Sequence, residues 1–140
     1  MSWDVLFQDV PQNIDSVGKI PENFTPHALC SRKYFEDMVV ALFPNIDNND
    51  TSWMILQEES YSIEFNSGKD DPMESVMLHV RGDEKALNAI KKICEYTGWK
   101  ALDCSLGEFI DFDRNPDEGF SKWRNYRNEV IRNTPSEKSK

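Results

Sequence analysis

Ser52–Ser60 (SWMILQEES), Tyr61–Gly68 (YSIEFNSG) and Glu74–Gly82 (ESVMLHVRG) are three consecutive segments in which apolar and polar residues alternate, with turn-forming residues between them. Successive side chains of a strand project to opposite faces. In the third segment Val76, Leu78 and Val80 therefore point one way, and Met77, His79 and Arg81 the other. In the second, Ile63 and Phe65 oppose Ser62, Glu64 and Asn66. Three such segments in a row predict an antiparallel meander with one face for a core and one wetter face.

The flanking sequence supplies the covering elements. Trp3–Val10 reads as a first strand, with Trp3, Val5 and Phe7 alternating against Asp4, Leu6 and Gln8 and Pro11 ending it. Apolar residues occur in both sets, which predicts cover on both faces. Gln12–Leu29 has little periodicity and reads as an ordered loop across the surface, pinned by Ile14, Val17, Ile20 and Phe24; connections of that length are often functional. Ser31 is placed to cap a helix whose apolar stripe is Phe35, Met38, Val39, Leu42 and Phe43, stopped by Pro44. Asn45–Thr51 is a polar loop, and Ser67–Glu74 reads as an exposed hairpin tip. Asp83 is the expected cap of a second helix with the stripe Ala86, Leu87, Ile90, Ile93 and Cys94 and a terminal Gly98.

A short strand, Lys100–Ser105, follows, which Gly107–Phe112 extends or pairs with. Asn115-Pro116-Asp117-Glu118 is a helix start, leading into an amphipathic helix with Phe120, Trp123, Val130 and Ile131. The expectation is an α+β fold: an antiparallel sheet of four to six strands with two helices packed on one face and a C-terminal third helix. Residues 1–132 form a single domain in this reading, and residues 133–140 a frayed tail.

At 140 residues with 39% hydrophobic content the chain can bury a core without disulfides or metal. No run approaches about 18 apolar residues, so no membrane partner is expected. The N-terminus carries acid where a signal peptide carries base. Cys30, Cys94 and Cys104 are odd in number and widely spaced, as expected of reduced thiols in a cytoplasmic protein.

The net charge of −9 is uneven: Met1–Val80 holds 14 acids and 4 bases, whereas Arg81–Lys140 holds 11 acids and 12 bases. Acidity of this kind argues against nucleic acid as a partner and favours a basic protein.

Candidate chemistry is sparse. His79 is the natural acid–base group, but a cross-strand pair with Glu64 accounts for it on a half-exposed face. Cys30 adjoins a helix N-terminus, a place that lowers a thiol pKa, while Cys94 lies on a buried stripe. Asp103, Asp111 and Asp113, or Asp47 and Asp50, match no cation-loop spacing and read as solvated loop acids. Trp53, Trp99 and Trp123 read as packing residues. No phosphate loop, dinucleotide fingerprint or nucleophile elbow occurs. Neither catalytic residues nor metal ligands nor a cofactor are therefore expected.

Ser2-Trp3-Asp4-Val5-Leu6, Gln8-Asp9-Val10-Pro11, Ser62-Ile63-Glu64, His79-Val80-Arg81-Gly82, Ala101-Leu102-Asp103 and Gly107-Glu108-Phe109 together carry a resemblance. Over Ser2 to about Tyr126 the chain resembles a widespread group of small bacterial cytosolic proteins that begin S-W-D-V-L-x-Q-D-x-P and are mostly described only as hypothetical. Some of that group resemble immunity proteins accompanying polymorphic toxins of the contact-dependent or type VI secretion kind. The resemblance implies stoichiometric binding to a cognate toxin domain that blocks its active site, and it carries over no catalytic residue; the acidic charge implies that this domain is basic around that site.

A regulatory or adaptor module is the alternative, and a small hydrolase using His79 and Glu64 stands behind it. The expected partner surface comprises the acids at the turns of the meander, Glu58, Glu59, Asp70, Asp71 and Glu74, with Asp47 and Asp50 before it. The wet strand face with Glu64, His79 and Arg81 is the other candidate.

Overall fold

A computed structural model describes residues 2–11, 14, 16–113, 116 and 118–132. The strands are β1 (Trp3–Gln8), β2 (Trp53–Gln57), β3 (Tyr61–Asn66), β4 (Ser75–Gly82), β5 (Ala101–Asp103) and β6 (Glu108–Phe109). The helices are α1 (Arg32–Leu42), α2 (Ala86–Thr97) and α3 (Glu118–Arg132), with a short 3₁₀ turn at Val17–Lys19. The fold is α+β, and all six strands form one antiparallel sheet in the order β2-β3-β4-β1-β5-β6. The N-terminal strand thus lies inside the sheet and joins the meander to the C-terminal hairpin.

The alternation places every large inward residue in one cluster. Trp3, Val5, Phe7, Met54, Leu56, Ile63, Phe65, Val76, Leu78 and Val80 are buried together with Phe35, Met38 and Val39 of α1, Ile90 and Ile93 of α2, and Phe120 and Trp123 of α3. Phe35 and Phe43 meet Phe65, and Phe120 packs edge-on against Trp3 at 5.4 Å. All three helices therefore serve the same face of the sheet. The opposite set of β1 (Asp4, Leu6 and Gln8) is only partly covered.

Local chemistry sets the boundaries. Ser31 accepts from the Tyr34 amide at 3.1 Å and caps α1. Asp83 accepts from the Lys85 amide at 3.0 Å, but it closes a turn ahead of α2, which begins at Ala86. The turn exists because Gly82, at φ 108°, ends β4 against the Ser60 carbonyl; a Cβ there would sit 2.3 Å from that oxygen. Gly98, in the left-handed region, ends α2. The cap at Asn115, the acid at Asp117, the side chains of Val130 and Ile131 and the tail 133–140 lie outside the described residues.

One expectation needs an addition and another a correction. The Ser67–Glu74 link is exposed at Gly68–Pro72 and Glu74 as expected, but it is anchored at both ends: Ser67 and Met73 are buried, Met73 bridges to Cys30, and Arg32 donates to the carbonyls of Ser67, Gly68 and Asp70. One guanidinium thus gathers three turn carbonyls and fixes the ends of the link relative to α1.

Asp103 is not a solvated loop acid. It is 2% exposed, and its Oδ1 accepts from the Ser105 amide and hydroxyl and the Leu106 amide, closing the β5–β6 turn. Its Oδ2 lies against Gly119 of α3, where a Cβ would come within 1.5 Å.

Two stability predictions follow from this packing. Ile90→Ala should cost about 2–5 kcal/mol in equilibrium denaturation, the range for a buried Ile; a loss below about 0.5 kcal/mol would place α2 on the wrong face. Gly119→Ala should destabilise markedly through its collision with Asp103, whereas an unchanged Tm would show that α3 does not rest on that carboxylate.

Candidate functional site

The side of the sheet away from the helices carries the most organised polar cluster. Pairing sets it out: Asp4 of β1 is opposite His79 of β4, which is opposite Glu64 of β3. All three alternate with buried residues, so they stand on the open face.

Glu64 is the hub. Its Oε1 accepts from Trp53 Nε1 at 3.0 Å, and its Oε2 accepts from Arg81. These hydrogen bonds, the Trp53 one foremost, hold the Glu64 carboxyl below its ordinary value against a smaller opposing effect of burial. Trp53 also stacks on the His79 ring, with centroids 5.5 Å apart and planes at 23°. On the other side His79 Nδ1 and Asp4 Oδ1 are 2.8 Å apart, and Ser2 Oγ donates to the same oxygen at 2.6 Å.

The outcome is a five-residue mosaic of Trp53, Glu64, Arg81, His79 and Asp4, drawn from four adjacent strands. Its outermost members stay in contact with solvent: Trp53 is 37% exposed and the Arg81 side chain 48%. Ile55, Met77 and Leu6, each half-buried, give it apolar flanks.

Sequence reasoning placed Glu64, His79 and Arg81 here but read Trp53 as core. The correction follows from register: Trp53 shares its parity with Ile55 and Gln57, while Met54 and Leu56 take the buried side. Parity was readable in the sequence and was outweighed by the usual habit of tryptophan. Asp4 was assigned to the outer set without a partner, because its contact with His79 spans 75 residues.

The turn acids separate into two groups. Asp50, Asp70, Asp71 and Glu74 lie at the end where β2 and β4 begin, and Glu58 and Glu59 at the opposite end, where β2 turns into β3. About five residues of strand, roughly 17 Å, intervene, so these acids form no single edge. Several are also engaged: Asp71 accepts from the Arg32 amide, Asp50 from Ser52, and Glu58 from Asn45. Asp47 pairs its backbone with Ile55 along the outer side of β2.

The thiols depart from expectation in one respect. Burial raises Cys30 despite its place before α1, outweighing the lowering by Arg32. Burial likewise pushes Cys94 up to about 12 and raises Cys104, with Asp4 and Asp103 adding to the latter shift. Among the described residues no three His, Cys, Asp or Glu side chains converge to hold a metal ion, and no helix is long and apolar enough to cross a membrane.

Comparison of the chain with known protein families, curated proteins and solved structures returned no match.

The depressed Glu64 carboxyl sets a pH dependence. Because its folded-state pKa lies below the unfolded value, its contribution to stability is full above the ordinary Glu range and is lost as pH falls through the depressed value. Wild type should exceed Glu64→Gln in stability near neutrality by under about 1 kcal/mol, since the pair with Arg81 is partly exposed. The gap should close in acid. A gap that widens on acidification in paired denaturation curves would contradict the arrangement.

Proposed function

We propose that the chain is an immunity protein that neutralises a cognate bacterial toxin domain by stoichiometric binding, and that the open sheet face is its contact surface. The observation that carries this reading is that Glu64 holds Trp53 and Arg81 side by side on the face without helices. Tryptophan and arginine are the residue types most often dominant in protein interfaces. Fixing both in advance removes ordering entropy that association would otherwise have to overcome. Ile55 and Met77 add apolar area beside the mosaic, and the acids at the two sheet ends provide a polar rim. The rim charges, with the overall charge of −9, favour encounter with a domain that is basic around its active site. Cytoplasmic residence is part of the same proposal.

An adaptor module with another protein partner would use the same face. The hydrolase reading pairs His79 with Glu64, but the Glu64 oxygens accept from Trp53 and Arg81 while His79 Nδ1 faces Asp4, and there the hydrogen bonds run Ser2–Asp4–His79, with the carboxylate between hydroxyl and imidazole. A hydrolytic triad needs the imidazole in the middle.

The test is co-expression in a bacterial host with the reading frame immediately upstream of the gene. That product should arrest growth alone, and the chain should restore growth and co-purify with it in equal amounts. Trp53→Ala and Arg81→Ala should each weaken the purified complex by about 2 kcal/mol or more while the free chain still unfolds in one cooperative transition. An upstream product that is harmless, or toxicity that the chain does not relieve, would remove the immunity reading. Unchanged affinity in both variants would remove this face.

A further inference from the structure

The β1–α1 connection crosses the other half of the open face. Val17, Ile20, Phe24 and Pro26 form a roof over Leu6, Leu102 and Phe109, and a cleft of about 200 Å³ lies between the two layers. The body of the cleft is apolar. Gln8, Asp9 and Lys100 stand at one end of it, because antiparallel pairing of Phe7 with Ala101 makes Gln8 and Lys100 the next pair along.

The two charges at that end differ in their surroundings. Asp9 Oδ2 accepts the His27 amide at 2.9 Å and has the His27 ring 3.5 Å away. Lys100 is half-buried, and its partners among the described residues are neutral: its Nζ donates to the Ile14 carbonyl and lies 5.6 Å from the centre of the Phe109 ring. An ammonium has three donors, and this one is placed at the mouth of an apolar space with no carboxylate among the described residues bonded to it.

We infer that the cleft is a binding site for a small apolar carboxylate, its ring or branched chain lying against Leu6, Phe24 and Leu102 and its carboxylate on Lys100. Size supports this occupant: an apolar cavity of about 150 Å³ admits a benzene ring, and the larger volume here leaves room for a short acidic arm. The apolar walls lower the local dielectric beside Lys100, which strengthens a charge-assisted hydrogen bond at that end. The inference does not rest on the protein interface: Trp53, Glu64, His79 and Arg81 stand on β2, β3 and β4, with Asp4 at the near end of β1, whereas the cleft is built on Leu6, Gln8, Leu102 and Phe109 of β1, β5 and β6.

The test is methyl-resolved NMR of the full chain titrated with phenylacetate, and with phenylacetamide as the neutral analogue of the same shape. Phenylacetate should bind in the millimolar range, as expected of so small a ligand, and shift the methyl signals of Leu6, Val17, Ile20 and Leu102. Phenylacetamide should bind about fivefold or more weakly, because it lacks the charge-assisted contact. Lys100→Met should abolish the difference between the two probes, and Leu102→Trp, which fills the cleft, should abolish both titrations. If Leu102→Trp does not fold, the Lys100→Met comparison decides alone. No shifts at these methyls, equal affinity for the two probes in wild type, or a preference for phenylacetate that survives Lys100→Met would overturn the assignment.

Discussion

The pairing of β1 with β4 is the contact on which the rest of the structure depends. Over six residues, from Trp3 opposite Val80 to Gln8 opposite Ser75, it inserts the N-terminal strand between the meander and the β5–β6 hairpin. Without it the sheet would divide into β2-β3-β4 on one side and β5-β6 on the other. Its register is fixed by Trp3, Val5 and Phe7, all fully buried, since a slip of one residue would exchange them for Asp4, Leu6 and Gln8. The same register brings Asp4 to His79. Core and surface cluster are therefore set by one choice of alignment.

The two faces differ because the helices crowd onto one of them. The buried residues of the covered side are apolar apart from Ser67, tied to Arg32 and the Thr51 carbonyl, and Asp103, whose carboxylate ties the β5–β6 turn. On the other side half of the sheet lies under the β1–α1 connection and half is bare. The bare half holds Glu64 with Trp53 and Arg81, and His79 between Trp53 and Asp4. Stability alone asks little of such a surface: partly exposed ion pairs contribute modestly, and a tryptophan left 37% exposed forgoes part of its hydrophobic gain. What the arrangement provides is rigidity in two side chains suited to protein contact.

The sheet was readable from its alternation, and the helices from their stripes and caps. Strands β2 to β4 carry a clear period of two, and Phe35, Met38 and Val39 carry the helical one. What escaped were contacts that no local pattern announces. Arg32 reaches across 35 or more residues to the Ser67–Asp70 carbonyls, an anchor that the exposed link does not announce in its own sequence. Asp103 resembled its exposed neighbours Asp111 and Asp113, because burial of an acid depends on donors and packing from elsewhere, here the turn amides and Gly119. Within the candidate site Glu64, His79 and Arg81 were visible by parity. Trp53 was lost because large aromatics usually fill cores, and the separation of the turn acids emerged only once strand order placed the meander's two ends apart.

The central claim is that the bare half of the open face, organised by Glu64, is a protein-binding surface. Cross-saturation NMR on the complex with the upstream-encoded protein tests it most directly, because it reports which side chains lie at the contact. The account predicts that saturation passes to the Trp53 indole N–H and to the Ile55 and Met77 methyls, while the helix-side Tyr34 and Tyr96 remain unaffected. Transfer to Tyr34 and Tyr96 with none to Trp53 would contradict it and move the interface to the helices.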